Sequence, residues 1–114
     1  MEESKRQSQV TTQIKQIAGK ALLDLEFPGE CLVTVTRVTI APDFANSSIF
    51  LSVIPNHCWN GVKNVLKKER STIQQEIAAN MTIHTTPSIR FILDERETYA
   101  RKMEALLDDV AKNG

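Results

Sequence analysis

Aromatic residues are scarce in this chain. They make up 5% of its 114 residues, with one tryptophan, one tyrosine and four phenylalanines. A core built from this sequence must therefore be mostly aliphatic. A row of exposed rings, of the kind that stacks single-stranded nucleic acid, is not available. Net charge is also missing: 14 basic residues balance 14 acidic ones. Domains that coat nucleic acid by bulk charge often have a pI above about 9, so any anion-binding surface here must be local. No apolar run approaches the roughly 18 residues that suggest a membrane span. The N-terminal MEESKRQSQVTTQ is polar and has no apolar core of a secretion signal. Only two cysteines occur, Cys31 and Cys58, in no CxxC motif. The expectation is a cytoplasmic protein with reduced, unpaired thiols, no membrane association and no cofactor.

What is present is ordinary for a single soluble domain: 41% hydrophobic and 25% charged residues. A chain of this length buries roughly two-thirds of its unfolded surface, enough for one core. The expected domain covers residues 1–114, with 1–4 and 112–114 frayed. Charge is unevenly placed along it. Lys63 to Arg70 holds four basic residues and one acid, whereas Asp94 to Asp109 holds six acids and three basic residues.

Val10, Ile14, Ile17, Ala18, Ala21, Leu22 and Leu25 recur at spacings of three and four, the stripe of an amphipathic helix. It is expected over about Ser4 to Leu25, with Ser4 and Gln7 at capping-box spacing. Phe27-Pro28-Gly29 ends it. The next run, CLVTVTRVTI, has strand composition, but its alternation changes phase. Val33 and Val35 share one face, Val38 and Ile40 the other, and a bulge near Thr36-Arg37 would return all four to the core. Pro42 to Asn46 is turn chemistry. Ser48 to Ile54 is the second strand of a hairpin, with Ile49, Leu51 and Val53 on one face.

Trp59, Val62, Val65 and Leu66 mark a further helix. Its stripe is interrupted by Glu69-Arg70 and resumes at Ile73, Ile77 and Ala78. Ser71 and Gln74 have capping-box spacing, so the expectation is two helices meeting at a kink. Pro87 opens a third strand, with Ile89, Phe91 and Leu93 on one face. Tyr99, Met103, Leu106, Leu107 and Val110 mark a last helix. The order is helix, strand, strand, helix, helix, strand, helix. A three-stranded sheet with the helices on one face accommodates it. The other face would carry Thr34, Phe50, Ser52, Arg90 and Ile92, mixed and partly wet.

This order is that of the type II KH fold, in the α+β class. The hairpin VTVTRVTIAPDFANSSIFLSV and the run ERSTIQQEIAANMTIHTTPSIRFILD resemble the ribosome-binding factor A family over about residues 5 to 110. The resemblance implies a non-catalytic assembly factor whose partner is the small ribosomal subunit and its rRNA. In that family the protein assists late maturation of the 16S-type rRNA, including its 5′ end, and often matters most in cold growth. It implies no small-molecule substrate, and a monomer is expected. The family's Ala-x-Gly at a kinked helix is here Glu69-Arg70-Ser71, a basic residue beyond it is Gln74, and an Asp-Pro-Arg before the first strand is Phe27-Pro28-Gly29.

The candidate RNA-binding residues are Lys63, Lys67, Lys68, Arg70 and Ser71 at the helix corner, with Arg37 and Arg90 on or beside the sheet. A helix starting at Ser71 would offer free N–H groups and a positive dipole end to a phosphate. Phosphate contacts fix position without reading sequence. Phe50 is the one candidate stacking ring, expected half-buried. Cys31, His57, Cys58 and His84 match no zinc-binding spacing, and Cys58 beside His57 lacks the third group of a catalytic set. The rival to RNA binding is a protein-interaction domain, suggested by the zero net charge and the acidic last helix.

Overall fold

The computed structural model describes residues 5–81 and 86–96. The Ser4 cap, His84, the last helix expected over Tyr99 to Val110 and the termini lie outside the described residues. Among the described residues five main elements follow one another: α1 (Lys5–Leu23), β1 (Leu32–Ile40), β2 (Asn46–Ile54), α2 (Trp59–Asn80) and β3 (Ser88–Leu93), with a 3-10 turn (Asn56–Cys58) leading into α2.

The aliphatic stripe of α1 is buried as its spacing requires: Val10, Ile14, Ala18, Ala21 and Leu22 face the core. The helix closes with 3-10-type hydrogen bonds, Asp24 N–H to the Ala21 carbonyl and Leu25 N–H to the Leu22 carbonyl, both at 3.2 Å. Arg6 in its first turn lies over the Phe44 ring, 5.4 Å from the centroid. That contact occupies a cation that the helix dipole would disfavour.

β1 and β2 form the expected antiparallel hairpin. Val35 pairs with Leu51 and Arg37 with Phe50, which leaves Thr36 as the bulged residue. The bulge puts Val35, Val38 and Ile40 on one buried face, resolving the change of phase in the sequence. The hairpin turn is closed by Phe44 N–H on the Ala41 carbonyl (2.9 Å) and by Asp43 Oδ1 accepting from Ala45 N–H (2.9 Å), an Asx turn. β3 adds to β2 in parallel, giving the order β1-β2-β3. A parallel neighbour needs a crossover, and α2 supplies it. Helices α1 and α2 cover one face, where Ile49, Leu51, Val53, Val62, Ile73, Ile77 and Ile89 are almost wholly buried. The core is aliphatic throughout, as the lack of aromatics demands.

Two expectations fail. The kinked helix pair is one continuous helix: residues 59–80 are helical through Glu69, Arg70 and Ser71. Glu and Arg are strong helix formers, and the apolar gap they leave is bridged by contacts of Arg70 with β3. Ser71 lies in mid-helix, so the free N–H groups of a helix start are not there. The thiols are not free either: Cys31 and Cys58 form a disulfide, with Cα atoms 6.2 Å apart. The hairpin register explains the encounter. Leu32 pairs with Ile54, so residues just before β1 and just after β2 must lie side by side. Sequence spacing carries no such signal, since 27 positions separate the two cysteines. Next to the bridge, a Cβ on Gly61 would meet Pro28 Cγ at 2.7 Å. Only glycine lets the start of α2 sit this close to the segment before β1.

Candidate nucleic-acid interface

α2 turns its buried stripe (Val62, Leu66, Ile73, Ile77) to the sheet. At 3.6 residues per turn, Lys63, Lys67, Arg70 and Gln74 fall on one neighbouring face. The lower half of that face meets the edge of β3. Arg70 Nε donates to the Ile89 carbonyl at 2.9 Å, and Nη2 donates to Ser88 Oγ at 3.0 Å. Gln74 Nε2 donates to the Pro87 carbonyl at 2.7 Å, and its Oε1 accepts from Ile89 N–H at 3.0 Å. The two side chains thus satisfy backbone groups of β3 that point away from β2. Lys63 and Lys67 continue the face toward the start of α2 and are exposed.

Beyond the edge, Arg70 and Arg90 line one open groove of ≈ 400 Å³ with Asn46, Ser47, Ser88 and Ile89. Arg90 Nε donates to Ser48 Oγ at 2.9 Å. This bond fixes the root of the guanidinium while the residue as a whole stays exposed. The groove combines two arginines with hydroxyl and amide groups, a donor set suited to phosphate or carboxylate oxygens.

Arg37 sits on the sheet face opposite the helices. Strand register aligns Arg37 with Phe50 and Phe50 with Ile92 across the three strands. The guanidinium carbon is 3.7 Å from the Phe50 centroid, stacked on a half-buried ring. Its Nε lies 3.7 Å from Asp94 Oδ2, is buried, and makes no hydrogen bond among the described residues. Asp94, 4% exposed, accepts from Thr36 Oγ1 at 2.6 Å and from Arg96 N–H at 3.2 Å. The Thr36 hydrogen bond, aided by the Arg96 amide and the Arg96 and Arg37 charges, holds the carboxyl below its usual range although burial opposes this. The bulge at Thr36 is what aims that hydroxyl at the carboxylate.

The structure therefore brings Lys63, Lys67, Arg70 and Arg90 into one connected strip. Arg37 lies one register row from Arg90 on the sheet. Lys68 and Ser71 are exposed but turned round the helix from the strip. Gln74, Ser88, Asn46 and Ser48 belong to the strip and were not foreseen. Arg70 and Gln74 at i and i+4 were visible as neighbours, but nothing local says that a strand edge lies beside them. Among the described residues no three His, Cys, Asp or Glu side chains gather as a metal site. No described helix is long and apolar enough to cross a membrane.

The family model of ribosome-binding factor A matches residues 3–107. A ribosome-binding factor A of Legionella pneumophila (strain Lens) is 31% identical over 78 residues, 68% of this chain; the match spans 63% of that relative's length. One of Neisseria meningitidis (serogroup B, strain MC58) is 26% identical over 107 residues, covering 93% of this chain and 87% of the relative. The crystal structure of ribosome-binding factor A from Thermus thermophilus superposes with a TM-score of 0.67 at 18% identity, over 76% of this chain and 93% of that one. A homology model of Thermus thermophilus ribosome-binding factor A, fitted into the cryo-EM map of its 30S complex, gives a TM-score of 0.64 at 20% identity, over 72% of this chain and 88% of that one.

Proposed function

The chain belongs to the ribosome-binding factor A family, and on that premise we propose that it binds the small ribosomal subunit. There it assists late maturation and processing of 16S-type rRNA in the cytoplasm. It works as a single KH-like domain, as a monomer, and by binding rather than by chemistry. The observation that carries this reading is the continuous strip Lys63–Lys67–Arg70–Arg90, a cationic track on a molecule with net charge +0. The strip contacts the sugar-phosphate backbone, which positions the protein without reading bases. Lys68 and Ser71 stand beside the track and contribute at most to its rim. Holding an immature rRNA conformation requires tighter binding to that conformation than to the mature one.

The test is co-sedimentation with immature and mature small subunits. The double variant Lys63→Glu/Lys67→Glu is expected to lose binding while its melting curve stays unchanged, because both lysines are exposed. Wild-type binding should weaken with salt on a log–log slope of about −0.7 to −0.9 per phosphate contacted. Equal sedimentation of the double variant, or binding indifferent to salt and nuclease, would favour a protein-interaction surface and overturn the reading.

A further inference from the structure

We propose that the sheet face opposite the helices holds an unpaired nucleobase, stacked on the Arg37 guanidinium, so that the RNA engaged by this chain is single-stranded where it crosses the sheet. This deepens the RNA-binding reading above and rests on it. Three observations converge. The first is the platform itself: the Arg37 guanidinium carbon lies over the Phe50 ring, 3.7 Å from its centroid, and 38% of the arginine side chain remains open. A guanidinium plane seated on an aromatic ring presents its outer surface as a stacking face for a base. The second is how that plane is held. Arg37 Nε is buried and has no hydrogen-bond partner among the described residues, so Phe50 and the charge of Asp94 orient the group. The polar edge of the plane is not tied up through Nε in a competing bond.

The third is continuity with the cationic strip. Arg37 and Phe50 occupy one register row, and Ser48 with Arg90 occupy the next on the same face. Arg37 and Arg90 root on the two outer strands, but the first reaches over Phe50 and the second bonds Ser48, both on β2 and two residues apart, about 6.7 Å, which is comparable to the separation of a base from its own phosphate. Arg90 also lines the groove that contains Arg70. A strand of RNA whose phosphates lie on Arg70 and Arg90 would place one base over Arg37. The described charges at this face are Arg37, Arg90 and Arg96 against Asp94, a surplus that suits a polyanion. A duplex cannot use the site, because its bases are stacked and paired; a single strand can splay one out.

The experiment measures binding of the full chain to a fluorescein-labelled unstructured oligoribonucleotide of mixed A and U. The same oligomer with abasic residues, and the corresponding duplex, serve as comparisons. Wild type is expected to bind the base-bearing strand about tenfold more tightly than the abasic one, and more tightly than the duplex. Phe50→Leu keeps an apolar side chain and removes the ring; Arg37→Lys keeps the charge and removes the plane. Both should lose the preference for the base-bearing strand, with circular dichroism melts confirming the fold. Lys63→Glu/Lys67→Glu should weaken both single strands equally and keep their ratio. Equal wild-type affinity for abasic and base-bearing strands, or wild-type behaviour of Arg37→Lys, overturns the stacking site while leaving phosphate contact standing. Absence of binding to any of these RNAs overturns both readings.

Discussion

At the scale of single residues, the most constrained group is Asp94. Its carboxylate is nearly enclosed and is held by one short bond from Thr36 (2.6 Å), with two arginines at a longer 3.7 Å. The short neutral donor outweighs the two arginine charges, which at 3.7 Å stand beyond hydrogen-bond distance of the carboxylate. Since the folded-state pKa lies below the ordinary value, the carboxylate's contribution to stability is complete above about pH 3.9, the usual aspartate value. It is lost as pH falls through the lower folded value. Thermal melts at descending pH should therefore show the wild type converging on Asp94→Asn below about pH 4, with wild type the more stable at neutral pH. A constant gap between the two across that range would assign the difference to packing. Thr36→Val should mimic much of the neutral-pH loss, because it removes the donor and leaves the shape.

At the scale of elements, α2 and β3 are fastened by Arg70 and Gln74. Ile89 is 1% exposed, so its N–H and carbonyl must find partners inside the protein. Gln74 supplies the acceptor and Arg70 the donor. Gln74→Ala would leave a buried N–H unpaired, a loss of about 1–3 kcal/mol. It should appear as a lower denaturant midpoint and faster hydrogen exchange at the Ile89 amide; unchanged exchange there would mean water replaces the glutamine. This clasp also explains what the sequence did and did not reveal. The helix stripes, the bulge at Thr36 and the three strands follow from side-chain periodicity, because burial enforces it residue by residue. The family resemblance supplied their arrangement. The gap at Glu69-Arg70 was also legible, but its meaning was not: it reads as a helix break until a strand edge is known to lie beside it. Contacts between elements distant in sequence leave no periodic trace. Hence Lys63, Lys67, Arg70 and Arg90 were nameable as cations, while their joining into one strip, and the separation of Lys68 and Ser71 from it, required the fold. Because Arg70 serves β3 as well as the groove, charge reversal at Lys63 and Lys67 is the cleaner probe of RNA contact.

At the scale of the whole molecule, the disulfide matters most. Cys31 and Cys58 close a loop that contains the entire β1–β2 hairpin, 27 residues apart in sequence. The same bridge ties the start of α2 to the segment before β1, where Gly61 packs on Pro28. The element that carries the cationic strip is therefore anchored at one end by a covalent link and at the other by Gln74 on β3. Closing a loop of this length restricts the unfolded chain and stabilises the fold by about 2–4 kcal/mol. Cytosolic thiols are normally kept reduced, so the bridge makes stability depend on the redox state of the surroundings. The core does not depend on it: neither cysteine is among the buried aliphatic residues between the helices and the sheet, and both only pack against their margin. Reduction should accordingly lower the melting temperature without abolishing the fold. Cys31→Ser/Cys58→Ser should match the reduced wild type and show no further response to reductant. RNA affinity at low temperature should survive reduction, because Arg70 and Gln74 still dock α2 on β3. The measurement is a pair of melting curves with and without reductant, alongside a thiol titration of the unfolded protein. Coincident curves for a chain shown to be oxidised would mean that the loop is already restricted in the unfolded state. Two free thiols in protein handled without reductant would mean that the pair does not close in solution.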